Sequence, residues 1–168
     1  MFREMLILLA LNKGPNHGYG IRQMYPGVSI NNKTLYNVLS RLETDGYVTC
    51  EMILQEKKAA KKIYTLKPEG RIYLKELLAH FTEAEASDWL EFQFRISSYD
   101  LLGKEDLKNI LDLRENYLRT TGGYVKQNIE NAAQDPIYSL NAAHICSRVE
   151  NELAYISDLR CALGIRSA

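Results

Sequence analysis

The stretch "NNKTLYNVLSRLETDGYV", residues 31–48, decides how the first half of this 168-residue chain is read. Leu35, Val38, Leu39 and Leu42 recur three and four residues apart, the spacing of one face of an α-helix. Lys33, Asn37, Ser40, Arg41 and Thr44 fall on the other side, and no acid is among these five. Asn31 or Asn32 can cap the helix, because an Asn side chain accepts from free N–H groups of the first turn. Gly46 in "ETDGY" stops it, since positive φ carries little penalty at glycine. Such a helix faces a core on one side and a hydrogen-bonding partner on the other.

Working outward, residues 2–12 read as a buried helix, because "MLILLAL" leaves little room for a polar face. "NKGPNHGYG" is a turn by composition. A short helix spans about 19–24 and ends at Pro26-Gly27. "YVTCEMIL" (47–54) and "KIYTL" (62–66) flank "QEKKAAK", giving strand, turn and strand, a hairpin. Pro68 opens a further helix. The order helix, helix, helix, hairpin, helix is that of a winged helix-turn-helix. The major groove of B-DNA admits one helix, and a basic hairpin beside it reaches phosphates or the adjacent minor groove. Lys57, Lys58, Lys61 and Lys62 are expected to crowd the hairpin tip.

Charge supports this division. Residues 1–80 hold 12 Lys and Arg against 7 Asp and Glu; the remaining 88 hold 9 against 14, and the whole chain is neutral. A first half at +5 suits a polyanion and a second half at −5 does not. The 46 % hydrophobic content supports a real core. The longest apolar run, Met5–Leu11, is far too short to span a bilayer, and nothing around it reads as a signal peptide. The chain is therefore read as soluble and cytoplasmic. Cys50, Cys146 and Cys161 form no pair of metal-binding spacing and read as free thiols, and His144 with Cys146 suits no usual zinc site. No metal and no cofactor are expected. No glycine-rich phosphate loop and no nucleophile with a nearby base is present, so an enzyme is not expected.

The second half reads as all helical. Residues 69–81 and 84–98 form two helices or one bent at Phe81-Thr82. From Lys104 to about Asn131, Ile110, Tyr117 and Tyr124 repeat at seven, as do Leu111, Leu118 and Val125. Gly122-Gly123 interrupts this helix as a kink or as a close helix approach. After Asp135-Pro136 a last helix runs to about Leu163, with Ala142, Ile145, Val149, Leu153, Ile156 and Leu163 as its stripe.

The elements "ILLALNKGPNHGYGI" (7–21), "KTLYNVLSRLETDGYV" (33–48) and "KKIYTLKPEGRIYL" (61–74) resemble those of the PadR family of bacterial transcription regulators. The resemblance covers the first half; the second half resembles, more weakly, the longer C-terminal region through which two chains of one subgroup interlock. It implies a fold that is mainly α with a small β-hairpin wing: a winged helix-turn-helix DNA-binding domain over 1–82, and a C-terminal α-helical dimerisation and effector domain over 83–168. It further implies a homodimer on roughly palindromic double-stranded DNA. Many members carry Pro where this chain has Asn37, and Gly or Ser where it has Lys33, so the preferred site differs from that of relatives.

The expected DNA-contacting set is Asn32, Lys33, Thr34, Tyr36, Asn37, Ser40, Arg41, Lys57, Lys58, Lys61 and Lys62. For Tyr36 the alternative is packing against the hairpin, and for Arg41 a local pair with Glu43 or Asp45. His17 is assigned a structural hydrogen bond at the helix junction, and Tyr19 a place in the core. Trp89 and Phe92 begin an aromatic cluster with Phe94 and Tyr99; it is either dimer core or, as in relatives that hold flat aromatic molecules between subunits, the site of a small aromatic effector. The function expected is a repressor relieved by such an effector. The alternatives are an activator of the same family and a winged protein-interaction module that has lost DNA.

Overall fold

The computed structural model describes residues 1–55, 58–131 and 135–166. The helices are α1 (Phe2–Asn12), α2 (Gly18–Gln23), α3 (Asn32–Thr44), α4 (Pro68–Ala79), α5 (Trp89–Ile96), α6 (Lys104–Asn131) and α7 (Pro136–Leu163). Strands β1 (Val48–Gln55) and β2 (Lys58–Leu66) form the hairpin. The fold is thus mainly helical with one two-stranded antiparallel sheet. The chain divides into two compact units, Met1–Leu78 and Ala79–Ala168, a division that falls ahead of the 82/83 boundary expected. Phe81 explains the difference: it belongs to the core of the second unit, beneath the Arg95 guanidinium at 4.8 Å from its ring.

The first unit is built around α1, whose residues Glu4 to Leu11 are all buried. α3 lays Leu35, Leu39 and Leu42 against this core with no exposed surface, while Val38 is half-buried. Each fully buried leucine contributes about 1.5–3 kcal/mol, so one side of α3 anchors it and Lys33, Asn37 and Ser40 on the other stay exposed. The Asn31 side chain caps it, accepting from the Thr34 N–H at 2.8 Å, and Gly46 at φ +80° turns the chain into β1.

β1 and β2 pair from Val48↔Leu66 to Ile53↔Lys61 and Gln55↔Lys58, so β2 takes in residues 58–61, which the sequence reading gave to the turn. The strand bonds join main-chain groups, and in a two-stranded sheet lysine side chains can leave either face for water, so the basic run does not end the ladder. The α1–α2 turn is stitched to the wing: Asn16 and Tyr64 donate to each other's carbonyls at 3.0 and 2.8 Å.

In the second unit α6 and α7 run antiparallel, with Asp112 bonded to Arg160, Arg114 to Glu152 and Lys126 to Glu150. Phe92, Ile96, Ile110, Leu111, Leu118 and Ile156 form the heart of its core. Three arginines are buried there. Arg95 donates to the His80 carbonyl at 2.9 Å and pairs with Glu85 and Glu91. Arg114 holds Glu152 through two N–H groups at 2.5 and 2.9 Å, and Arg160 bridges Asp112 and Glu115. Burial pushes the Glu115 carboxyl up, but hydrogen bonds from Arg119 and Arg160 outweigh this and hold it below its ordinary range. Residues 69–81 and 84–98 resolve into α4 and α5, separated by a short 3-10 turn at Glu85–Ser87.

α6 continues through Gly122-Gly123 without interruption. The close approach is within the protomer and at Gly122 alone: a Cβ there would lie 3.1 Å from Val149 Cγ1, whereas one at Gly123 would meet nothing within 4 Å. Glycine disfavours a helix by about 1 kcal/mol relative to alanine. Gly123→Ala is therefore expected to stabilise the chain by up to about that amount, and Gly122→Leu to destabilise it by about 1–3 kcal/mol through overpacking. Urea denaturation of both variants checks this; a Gly122→Leu chain as stable as the wild type would show that α7 yields there.

Candidate nucleic-acid interface

Three elements position the expected site residues of the first unit. On α3, Lys33, Asn37 and Ser40 are exposed at positions i, i+4 and i+7, one line along the outer face. Arg41 and Thr44 flank that line and are exposed as well. Thr34 is half-buried beside the cap. Asn32 is exposed, and its Oδ1 accepts from Arg22 Nη1 of α2 at 2.6 Å, so it is tied to the preceding helix. Arg41 bonds not to Glu43 or Asp45 but to Glu4 of α1, with Nη2 2.8 Å from the carboxylate. Glu43, two residues along, is on nearly the opposite side of α3 from Arg41, and Asp45 is already the helix C-cap, whereas Glu4 comes from the neighbouring helix.

Tyr36 is 46 % exposed and lies against α2: a Cβ at Gly18 would be 2.7 Å from its hydroxyl. Gly18 thus lets α2 approach α3 closely. The His17 ring does what was expected of it, its Nδ1 accepting from the Gly20 N–H at 2.7 Å to cap α2. Tyr19 is not in the core; it is 65 % exposed. The signal was present in helical spacing, since Tyr19 lies two residues from buried Ile21 and hence on nearly the opposite side of α2.

On the wing, Lys62 is exposed and Lys61 half-buried. As strand neighbours these two leave on opposite faces of the hairpin. The backbone of Lys58 is in β2; its side chain and all of Lys57 lie outside what is described. Where the strand continued could not be read from composition, because pairing is a property of the partner backbone.

The second unit carries an aromatic cleft. Trp89 is 42 % exposed at the start of α5. Behind it the Arg114 guanidinium lies 5.8, 5.6 and 5.3 Å from the rings of Trp89, Phe92 and Tyr117. Glu152 and the Ala86 carbonyl fix that guanidinium. Two recesses of about 170 and 320 Å³ share Trp89, Arg148 and Glu152 in their walls. Phe92, expected beside Trp89 in an effector site, is fully buried and lines neither recess. Its ring lies 6.0 Å from that of Trp89, on the core side of it, among the buried residues of the second unit. Among the described residues no cluster of three or more His, Cys, Asp or Glu could hold a metal, and no helix is long and apolar enough to cross a membrane.

The sequence model of the transcriptional regulator PadR-like family matches residues 7–76, which contain α2, α3, the hairpin and most of α1 and α4. A solved PadR-like transcription factor from Bacteroides fragilis is 30 % identical over 46 % of this chain and 78 % of its own, with a TM-score of 0.44. The chain belongs to the PadR-like family. It is thus one of a family of DNA-binding transcription regulators and not of enzymes. Among similar solved structures, Bacillus subtilis PadR in complex with operator DNA is 19 % identical, over 97 % of this chain and 99 % of its own, with a TM-score of 0.48. The same protein in complex with p-coumaric acid is 17 % identical, over 97 % and 96 %, with a TM-score of 0.42. No curated protein matches the chain.

Proposed function

We propose that this PadR-like regulator is a cytoplasmic repressor acting as a homodimer, reading a roughly palindromic promoter site through α3. The observation that carries the reading is the exposed line Lys33, Asn37, Ser40 on a helix anchored by three fully buried leucines. A helix held that way can enter the major groove without losing its core contacts. The first unit supplies DNA binding and the second dimerisation. Tyr124, Ile137, Leu140 and Ile145 leave apolar surface exposed on α6 and α7, and isologous pairing of two chains would cover it. A gel shift of full-length protein on the DNA upstream of its own gene, beside a scrambled duplex of equal length, tests the reading; equal retardation of both would sink sequence-specific binding.

A small aromatic effector belongs at the Trp89 cleft, where an exposed indole edge adjoins two recesses. p-Coumaric acid, the compound in the B. subtilis PadR complex, is a suitable first probe. It should quench Trp89, the one tryptophan of the chain, and lower DNA affinity over the same concentration range. The two effects are linked because each ligand changes the other's affinity by the same factor. Quenching with unchanged DNA binding would make the cleft incidental to regulation.

A further inference from the structure

Glu4 is the one charged side chain buried in the first unit, among the described residues. It enters the core from α1, amid Met5 to Leu11, where an unpaired carboxylate would be strongly disfavoured. Two groups compensate it. Arg41 Nη2 of α3 lies 2.8 Å from Oε1. The Tyr73 hydroxyl of α4 is near enough for the Glu4 charge to act on it, and Tyr73 stacks on Tyr47 with ring centroids 4.3 Å apart. Burial and then the Glu4 charge push the Tyr73 hydroxyl up; the Glu4 hydrogen bond and charge push Arg41 up. The pair is lopsided: the Glu4 side chain is 8 % exposed and that of Arg41 57 %. The carboxylate is therefore shielded from water, while more than half of the Arg41 side chain stays open to it.

Arg41 follows Lys33 and Asn37 at steps of four residues, so it is near the line that α3 presents. An unrestrained arginine loses much rotamer freedom when it grips a phosphate. Here that loss is already taken on folding. We infer that Glu4 is a positioning residue for DNA binding: its buried carboxylate holds the Arg41 guanidinium at fixed place and tilt, ready for a phosphate beside the bases faced by Lys33 and Asn37. The inference rests on α3 being the DNA reader. Its content beyond that is a sign. Counting charges, removal of an acid beside a polyanion-binding helix should tighten DNA binding. If Glu4 positions Arg41, the same removal weakens it.

The test uses full-length protein and a duplex enriched by the wild type from a randomised pool, titrated at several salt concentrations. Glu4→Met, which fills the buried space, is expected to weaken binding to that duplex about fivefold, and Arg41→Ala about tenfold with a salt slope lower by about one per half-site. The double variant should bind no worse than Arg41→Ala alone, because Glu4 acts only through Arg41. Should Glu4→Met fail to fold, Glu4→Gln takes its place, with an expected loss of about threefold. Unchanged or tighter binding by the Glu4 variant overturns the inference. So does an unchanged Arg41→Ala, or a Glu4 loss that persists in the Arg41→Ala background, which would make Glu4 merely a fastener of α1 to α3. If the wild type enriches no duplex, the reading of α3 as a DNA reader falls first, and the inference with it.

Discussion

Full-length protein carrying Leu140→Glu is expected to sediment as a monomer at micromolar concentration and to bind a two-half-site duplex about 10²–10⁴-fold more weakly than the wild type. Leu140 is 67 % exposed on α7, with Ile137 three residues before it and Tyr124 exposed on α6. Leu140 and Ile137 are not part of the buried core cluster, so the change should leave the folded chain intact. In an isologous interface the substitution appears twice, placing two carboxylates in surface meant to be apolar. The loss of DNA affinity comes from geometry: two half-sites held on one body bind the second as an intramolecular event, and a monomer forfeits that gain. Binding to a single half-site should change little. Sedimentation equilibrium and titration of both duplexes check the expectation. A wild-type chain that is itself monomeric would overturn the dimer, and a Leu140→Glu chain that stays dimeric would move the interface elsewhere.

The second large effect separates reading from holding. Asn37→Ala should cost about 1–3 kcal/mol on the preferred site and little on scrambled DNA. Asn37 is exposed on the line of α3 that faces away from Leu35, Leu39 and Leu42, and its amide can bond adenine through a donor and an acceptor at once. Lys62→Ala should behave differently. Lys62 is exposed on β2, so as a phosphate contact its loss should weaken all sequences alike and lower the salt slope by about one per half-site. Lys61, half-buried on the other face of the strand, should contribute less. A salt titration of preferred and scrambled duplexes with these variants decides. An unchanged ratio in Asn37→Ala would mean that this face of α3 is not the reader.

The corrections found in the structure have a common origin. Arg41 had two acids within four residues, and neither is its partner; Glu4, far earlier in the chain, is. Gly122 and Gly123 are indistinguishable in sequence, yet only Gly122 faces Val149, because the crossing of α6 and α7 decides which of two adjacent positions is in contact. Phe92 and Trp89 stood in one aromatic cluster, dimer core or effector site; Phe92 is core within its own protomer and Trp89 is exposed. Residues 58–61 had the composition of a turn, and pairing with β1 made them strand. Tyr19 alone among these could have been placed correctly from its own helix.

What local order alone decided was the run of elements and their ends. Leucines at steps of three and four, Asn31 as a cap, Gly46 at positive φ and Asp135-Pro136 before α7 act through residues within a few positions of one another, so they are legible in one dimension. The polar line of α3 was legible for the same reason, since a face of a helix follows from its period. Which charge compensates a buried carboxylate, which glycine meets a methyl group and which aromatic ring stays at the surface depend on groups brought together from distant parts of the chain. Burial and pairing are set by the distances between packed elements, and those distances exist only once α1, α3 and α4, or α5, α6 and α7, have closed on one another.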